Sequence, residues 1–448
     1  MLTDTLENRL LDASLGRFGW SGKPSTLFLG LLTNGPENDA GLNAVEVSRT
    51  GTAYTRVGVP VASDSWTPDP VTGDLTNAAI LSWPLASGDW GTVTHVGLYA
   101  QATGGTLLGA IALPQPETVS RFNEFSIPAE RLTLRMRGSI SVLHRLELWN
   151  WLARGLAITP ATRLFFGLGT GVIDTTLVGE PDNTHGYERL MVNNSQANFP
   201  AAVGGTKSLS TTSTSLPANV SPAIDWPQVS HIGIYDAAGP RTVNSIASNI
   251  CTCINDHFFQ DTNRIVFLNG ANNATAGLGV TPQLIYFVRD RTAKGFRIAT
   301  TSGGAAVTLT ATAAGAFTAN NALRAFLVSN TAINSAAAVS GNAYIRCDAP
   351  HGLSIGDRVH FAASSAPTGF TTNRVLFVVD VVGDTVALAE TEGGTAIVPS
   401  STGSGIVLRK LETGRLLYSA QLATPLQILA GESVIFPGGS GGLDFSLD

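Results

Sequence analysis

The chain has 448 residues, 44% of them hydrophobic and only 13% charged, with a net charge of −6. Its length favours about three domains over one core, and its charge content, against about 25% in an average soluble protein, predicts a surface largely covered by neighbouring subunits. The acidic balance without Lys or Arg runs argues against nucleic-acid binding, and no apolar stretch approaches the roughly 18 residues of a membrane span.

The N-terminal Met1-Leu2-Thr3-Asp4 lacks a basic region followed by an apolar one, so no signal peptide is expected and synthesis in a cytoplasm is. Leu2, Leu6, Leu10 and Leu11 then recur at helical spacing up to a stop at Gly16. Leu27 to Leu32 is a continuous apolar run, as in a strand buried on both faces. Further strands are predicted around Trp83 and Val93–Tyr99, with Gly, Asp and Pro turn clusters between them, and Leu132-Thr133-Leu134 closes the unit.

The same order then returns. Leu143, Leu146, Trp149, Leu152 and Leu156 form a second amphipathic pattern, and Leu27-Phe28-Leu29-Gly30-Leu31 reappears as Leu164-Phe165-Phe166-Gly167-Leu168. Tyr54-Thr55-Arg56 returns as Tyr187-Glu188-Arg189, Trp83-Pro84 as Trp226-Pro227, and His95-Val96-Gly97-Leu98-Tyr99 as His231-Ile232-Gly233-Ile234-Tyr235. On these pairings the Trp-Gly-Thr-Val-Thr stretch of copy one is missing from copy two. Gly105-Thr106-Leu107-Leu108 returns only as Gly414-Arg415-Leu416-Leu417, so a long insertion splits copy two. In copy one the interrupted place is a short Gly-containing turn, the kind of loop tip at which insertions succeed.

The insertion is itself doubled. Arg264-Ile265-Val266-Phe267 matches Arg358-Val359-His360-Phe361, Ile285–Val288 matches Leu376–Val379, and Thr301-Ser302-Gly303-Gly304 matches Thr391-Glu392-Gly393-Gly394. Short strands with Gly and Pro turns predict small β-barrels or sandwiches. The expected organisation is mainly β, with tandem β-sandwich domains that each carry an N-terminal helix. Residues 1–137 form the first, residues 138–239 and 413–448 form the discontinuous second, and inserted modules occupy 240–318 and 341–412. Residues 319–340 are read as a linker with a short helix at Ala322–Val328.

Copy one, with Thr26–Thr33, Glu46-Val47-Ser48, Tyr54-Thr55-Arg56, Asn77–Ile80, Trp83-Pro84 and Trp90–Tyr99, resembles the small β-rich virion proteins of tailed bacteriophages known as tail fibre proteins. His351-Gly352-Leu353-Ser354-Ile355-Gly356-Asp357-Arg358-Val359 resembles a module scattered through phage tail and fibre proteins, whereas Phe258-Phe259-Gln260-Asp261 departs from it. The resemblance implies a virion structural protein.

The search for chemistry gives no catalytic, cofactor or metal site. His95 and His231 begin strands and read as hydrogen-bonded within the fold, and the pairs Tyr54/Arg56 and Tyr187/Arg189 read as Arg–Tyr stacks on one strand face. Cys251, Cys253 and Cys347 are too few for a disulfide framework and read as buried small hydrophobes. Gly438-Gly439-Ser440-Gly441-Gly442 matches a nucleophile-elbow pattern but no His follows it, Gly204–Ser208 lacks phosphate-loop spacing, and the facing of Glu390 with Glu392 is undetermined.

The expected function is therefore a non-enzymatic tail fibre, baseplate or adaptor component that docks subunits within the virion. Its expected partners are other virion proteins and copies of itself, with a trimer of pseudo-sixfold symmetry as one arrangement. The alternatives are a capsid decoration or head-fibre protein, and a host-glycan receptor module carried by the insert.

Overall fold

The computed structural model describes residues 1–138, 140–173, 176–181, 187–210, 216–217, 225–253, 255–269, 278–312, 323–338, 340–347, 351–391, 393–429, 435–436 and 444–447. The fold is mainly β, with two α-helices among these residues. In copy one, strands Val45–Glu46, Thr26–Asn34, Gly91–Tyr99 and Leu107–Val119 lie side by side in that order, and Val57–Pro60 also pairs with Thr26–Asn34. A smaller sheet of Thr133–Leu134, Leu75–Asn77 and Trp66–Pro68 faces the same core. Copy two repeats the large sheet with Leu190–Asn193, Arg163–Gly169, Val229–Tyr235 and Leu416–Leu426. Its last strand comes from beyond the insertion, and Leu27, Leu29 and Leu31 of the apolar run are fully buried, as are Leu164 and Ile234 of the second copy.

Each helix is tied to the last strand of its own sheet. Thr3, which precedes helix α1 (Asp4–Ser14), donates its hydroxyl to the Leu107 and Leu108 carbonyls. Ser141, which precedes helix α2 (Val142–Ala153), does the same to the Leu416 carbonyl at 2.6 Å. The far side of each helix packs on the other copy. The turn at Gly73 in copy one meets Val142 and Arg145 of α2, and the matching Gly205 of copy two meets Asp4 and Glu7 of α1. Gly16, after α1, lies against the Phe199 carbonyl, and Gly155, after α2, lies against the Val61 carbonyl. The exchange fuses the copies around one hydrophobic core that runs from Leu2 to Leu447.

These contacts are reciprocal: the same patches serve on both sides, as in a twofold, isologous interface. The symmetry is broken by charge at Lys207. Lys207, fully buried, stands where copy one has Leu75, and it bonds Asp12 of α1 at 2.5 Å. The α2 residue matching Asp12 is Asn150.

The insertion forms two closed six-stranded antiparallel barrels. The first runs Arg241–Ala247, Ile250–Cys253, Gly295–Ala299, Ile285–Arg289, Arg264–Asn269 and Leu323–Val328 around its wall. The second runs Ile333–Ala338, Tyr344–Cys347, Thr385–Ala389, Arg374–Val382, Arg358–Ala362 and Ile406–Lys410. Each has its own core. The segment read as a linker, 319–340, thus supplies a closing strand to each barrel, and the connection between them is residues 329–332. Leu323–Val328 is a strand, not a helix: Leu323 and Ala325 on one face fill the first barrel's core, and Phe326 and Val328 on the other fill the joint beyond it. Tertiary burial here overrides the helix preference of Ala and Leu.

The barrels are closer copies than their sequences suggest. His257 Nδ1 accepts the Phe259 N–H at 3.0 Å, and His351 Nδ1 accepts the Leu353 N–H at 3.1 Å. Asn263 and Asp357 then cap the Gln260 and Ser354 amides. The first barrel therefore keeps the His-x-apolar turn that its Phe258–Asp261 segment hides in sequence. In Ile285–Arg289 the match to the second barrel shifts by one residue: Phe287 pairs with Arg264 as Phe377 pairs with Arg358.

Candidate functional site: clamped turns at the base of the insert

The repeated Tyr and Arg residues form the same buried network in both copies. Neither lies on a strand face; Tyr54 and Arg56 precede strand Val57–Pro60. Tyr54 Oη accepts the Leu31 N–H at 2.7 Å and donates to Glu46 Oε1 at 2.9 Å. Arg56 grips Glu46 bidentately, at 2.8 Å and 2.7 Å. Its guanidinium stacks 3.3 Å above the Tyr99 ring, not on Tyr54, whose ring instead packs edge-on against Trp90. The remaining nitrogen, Nη1, bonds the Gln101 and Gly104 carbonyls, each at 2.7 Å, and so closes the turn between the last two strands.

Copy two repeats each element. Tyr187 accepts from the Leu168 N–H at 2.8 Å and donates to Glu180 at 2.7 Å, and Arg189 holds Glu180 at 2.8 Å and 2.9 Å. Arg189 stacks 3.3 Å over Tyr235, and Tyr187 packs edge-on against Trp226. Trp226 is thus the counterpart of Trp90, not of Trp83, and Trp226–Tyr235 matches Trp90–Tyr99 residue for residue with nothing missing. Arg189 Nη1 bonds the Ala237 carbonyl at 3.4 Å and the Thr413 carbonyl at 2.5 Å. These are the two ends of the insertion, which therefore replaces only the pair Ala102-Thr103 of copy one.

The strand glycines make room for this network. A Cβ on Gly30 would lie 2.9 Å from Glu46 Oε1 and 3.0 Å from the Tyr54 hydroxyl; on Gly167 it would lie 2.8 Å from Glu180 Oε1 and 3.1 Å from the Tyr187 hydroxyl. Burial works against the Glu46 charge, yet the bonds from Arg56 and Tyr54 hold its carboxyl below the usual range. Burial beside these carboxylates pushes Tyr99 and Tyr235 up to about 12. The Tyr99 and Tyr235 phenols therefore stay neutral across physiological pH.

The insert is fastened a second time. Glu188, between the two clamp residues, accepts from Arg241 Nη1 at 2.9 Å, from Asn255 Nδ2 at 2.9 Å and from the Thr242 N–H at 3.1 Å. Both members of the Glu188–Arg241 pair are buried, and Phe258 of the first barrel packs edge-on against Phe165 of the sheet. The copy-one residue matching Glu188 is the exposed Thr55. A third joint ties the barrels together: Gln283 receives His360 Nε2–H on its backbone carbonyl at 3.0 Å and the Val375 N–H on its side chain at 2.7 Å.

His95 and His231 bond their neighbouring Thr94 and Ser230 hydroxyls through Nδ1, at 2.9 Å and 2.8 Å. Cys251, Cys253 and Cys347 are buried thiols, and burial pushes Cys251 up to about 12. Gly204–Ser208 is the turn and strand that present Lys207 to Asp12. Gly438–Gly442 and Glu392 lie outside the described residues, and Glu390 is exposed. Among the described residues, no three His, Cys, Asp or Glu side chains converge as a metal site would require.

The family described as Podophage GP4 fiber I protein gp80 matches residues 1–135 and again 139–248, more than half of the chain. The chain belongs to this podophage fibre family. The two matched segments begin at the two helices' N-terminal regions, so the family's pattern falls on each copy in turn. No curated protein matches the chain. Membership makes this fibre protein a phage structural component.

Proposed function

We propose that the chain is a fibre, baseplate or adaptor component on the tail side of the particle. In this reading the cross-packed pair of copies is the docking body, and the two barrels are held out from it to meet other virion proteins or further copies of the chain. The observation that carries the reading is the triple fastening of the insert: the Arg189 clamp across its two ends, the buried Glu188–Arg241 pair, and the Gln283 joint between barrels. A spacer on flexible strings needs none of these, whereas a module that transmits force or position needs all three. Docking itself asks for no chemistry, and the sparse charge of 13% fits a surface that neighbours cover. The test is imaging of particles that carry a Fab-binding epitope at the exposed turn 382–384. Fab density on the tail side is expected; density on the capsid shell would overturn the tail placement in favour of a head fibre or decoration protein. Glycan-array binding by the purified chain would move the barrels from docking to host recognition.

A further inference from the structure

The end of α1 touches the start of α2 where the copies meet. There the Ser14 hydroxyl lies 2.6 Å from His144 Nε2, and His144 Nδ1 lies 2.9 Å from Glu147 Oε2. All three residues line a cleft of about 480 Å³ between α2, the clamped ends of the insert and the second barrel. Asp236, Lys410, Glu412, Thr413 and Arg415 line it too.

The pseudo-twofold supplies an internal control on what the fold itself requires here. By the helix register, Ser14 corresponds to Leu152, His144 to Leu6 and Glu147 to Arg9. Leu6 and Leu152 are fully buried members of the shared core. Apolar side chains therefore suffice at the mirror positions, and they carry none of the desolvation cost of a buried hydroxyl and imidazole. The polar set at Ser14 is not needed for helix packing, and it is placed on a cleft wall rather than in sealed core.

We propose that Ser14, His144 and Glu147 form an acyl-transfer site that hydrolyses small carboxylic esters of hydroxyl-bearing alcohols. The geometry is that of a nucleophile, a base and an orienting carboxylate. Nδ1–H donated to Glu147 fixes the tautomer that leaves Nε2 free to take the Ser14 proton. Burial alone would raise the Glu147 carboxyl, but His144 and then Arg415 hold it below the usual range, so it remains an acceptor. Ser14 Oγ bonds to the ester carbonyl carbon as its proton passes to His144 Nε2. Collapse breaks the bond to the alcohol, which departs with that proton. Water then adds to the acyl carbon, its proton passes to His144, and Ser14 regains a proton as the acid leaves. Arg415, with one edge on Asp236 at 2.7 Å and another 3.7 Å from Glu147, keeps the Glu147 carboxylate on the cleft wall paired with positive charge. Asp236, Glu412 and Thr413 present hydrogen-bonding groups that suit an alcohol rich in hydroxyls.

The test uses the full chain, a serine-directed fluorophosphonate read by peptide mass mapping, and p-nitrophenyl acetate hydrolysis. Labelling at Ser14 is expected, slowed by p-nitrophenyl acetate, abolished in Ser14→Ala and reduced at least about 100-fold in His144→Leu, which copies the Leu6 side of the interface. A folded wild-type chain with no label at Ser14, or with ester hydrolysis no faster than Ser14→Ala, overturns the proposal. Should His144→Leu fail to fold, protection of the wild-type label by p-nitrophenyl acetate decides the matter alone. Either result leaves the docking role standing, because that role is tested on particles.

Discussion

Copy one and copy two close the same turn with the same arginine, yet the chain between the closed ends differs by two barrels. Arg56 spans Gln101 and Gly104; Arg189 spans Ala237 and Thr413. The difference teaches why this turn tolerates an insertion. The strand ends are fixed by a side chain from the sheet below, so what lies between them contributes nothing to their position. Loop closure then adds only a slowly growing entropic cost.

The sharpest way to break this comparison is to remove a clamp carboxylate. Glu180→Ala strands a buried arginine and is expected to cost about 3–5 kcal/mol in denaturant unfolding, with Glu46→Ala close behind. If the clamp does the fastening, hydrogen exchange in Glu180→Ala rises at both 237–239 and 413–415. In Glu46→Ala the rise stays within 100–106. Equal exchange in the two variants at the base of the insert would break the comparison.

The barrels offer a second contrast, since His360 stands where the first barrel has Val266. Burial, with the nearby Arg409 charge, lowers the His360 pKa to about 4, and its Nδ1 is buried without an acceptor. The folded value lies below the unfolded one, near 6.5, so the unfolded chain binds the proton more readily. Stability is full above about pH 6.5 and falls toward pH 4, by on the order of 3 kcal/mol. Thermal melts across that range should show unfolding of the second barrel moving to lower temperature as pH falls, and His360→Gln should flatten the slope.

A smaller effect is expected from excision. Replacing 238–412 by Ala-Thr, together with Glu188→Thr to match Thr55, should leave a folded docking body within about 1–2 kcal/mol of the parent. An excised chain that aggregates would mean that the barrels hold the body together. The smallest effect is at the second barrel's turn cap: His351→Ala loses bonds to the Leu353 amide and the Gly383 carbonyl and should cost about 1 kcal/mol. His257→Ala should cost more, because the buried His257 ring also packs on Phe259 and Phe296, and equal costs in denaturant unfolding would show that this packing contributes nothing.

Much of this was legible in the sequence, because repeats preserve order. The doubled apolar strand, the Tyr and Arg pairs and the return of the chain at Gly414 were all readable. Glu46 and Glu180 stand within one residue of the offset of the tyrosines and were findable on that ground. The stack on Tyr99 was not, since it joins residues from separate strands and depends on register. The shared dipeptide Trp-Pro misled: Trp226 precedes a proline as Trp83 does, but it packs on Tyr187 as Trp90 packs on Tyr54. Leu323–Val328 was misread because Ala and Leu favour helices locally, while closure of a barrel is a non-local demand. Ser14 and His144 could not be paired by any spacing rule, because the exchange of helices between copies is what brings them together.

That exchange also sets a timetable for biogenesis. Asn194 bonds the Ser14 carbonyl and the Gly16 amide, and Lys207 holds Asp12, so α1 finds its final seat on residues synthesised almost two hundred positions later. Copy one leaves the ribosome as an unfinished surface, with leucines of α1 still awaiting a cover. The last strand of copy two arrives after both barrels have been translated, and only then can the body close. Slow codons or chaperone capture within the first half of the message would therefore act on the whole molecule, not on one domain of it.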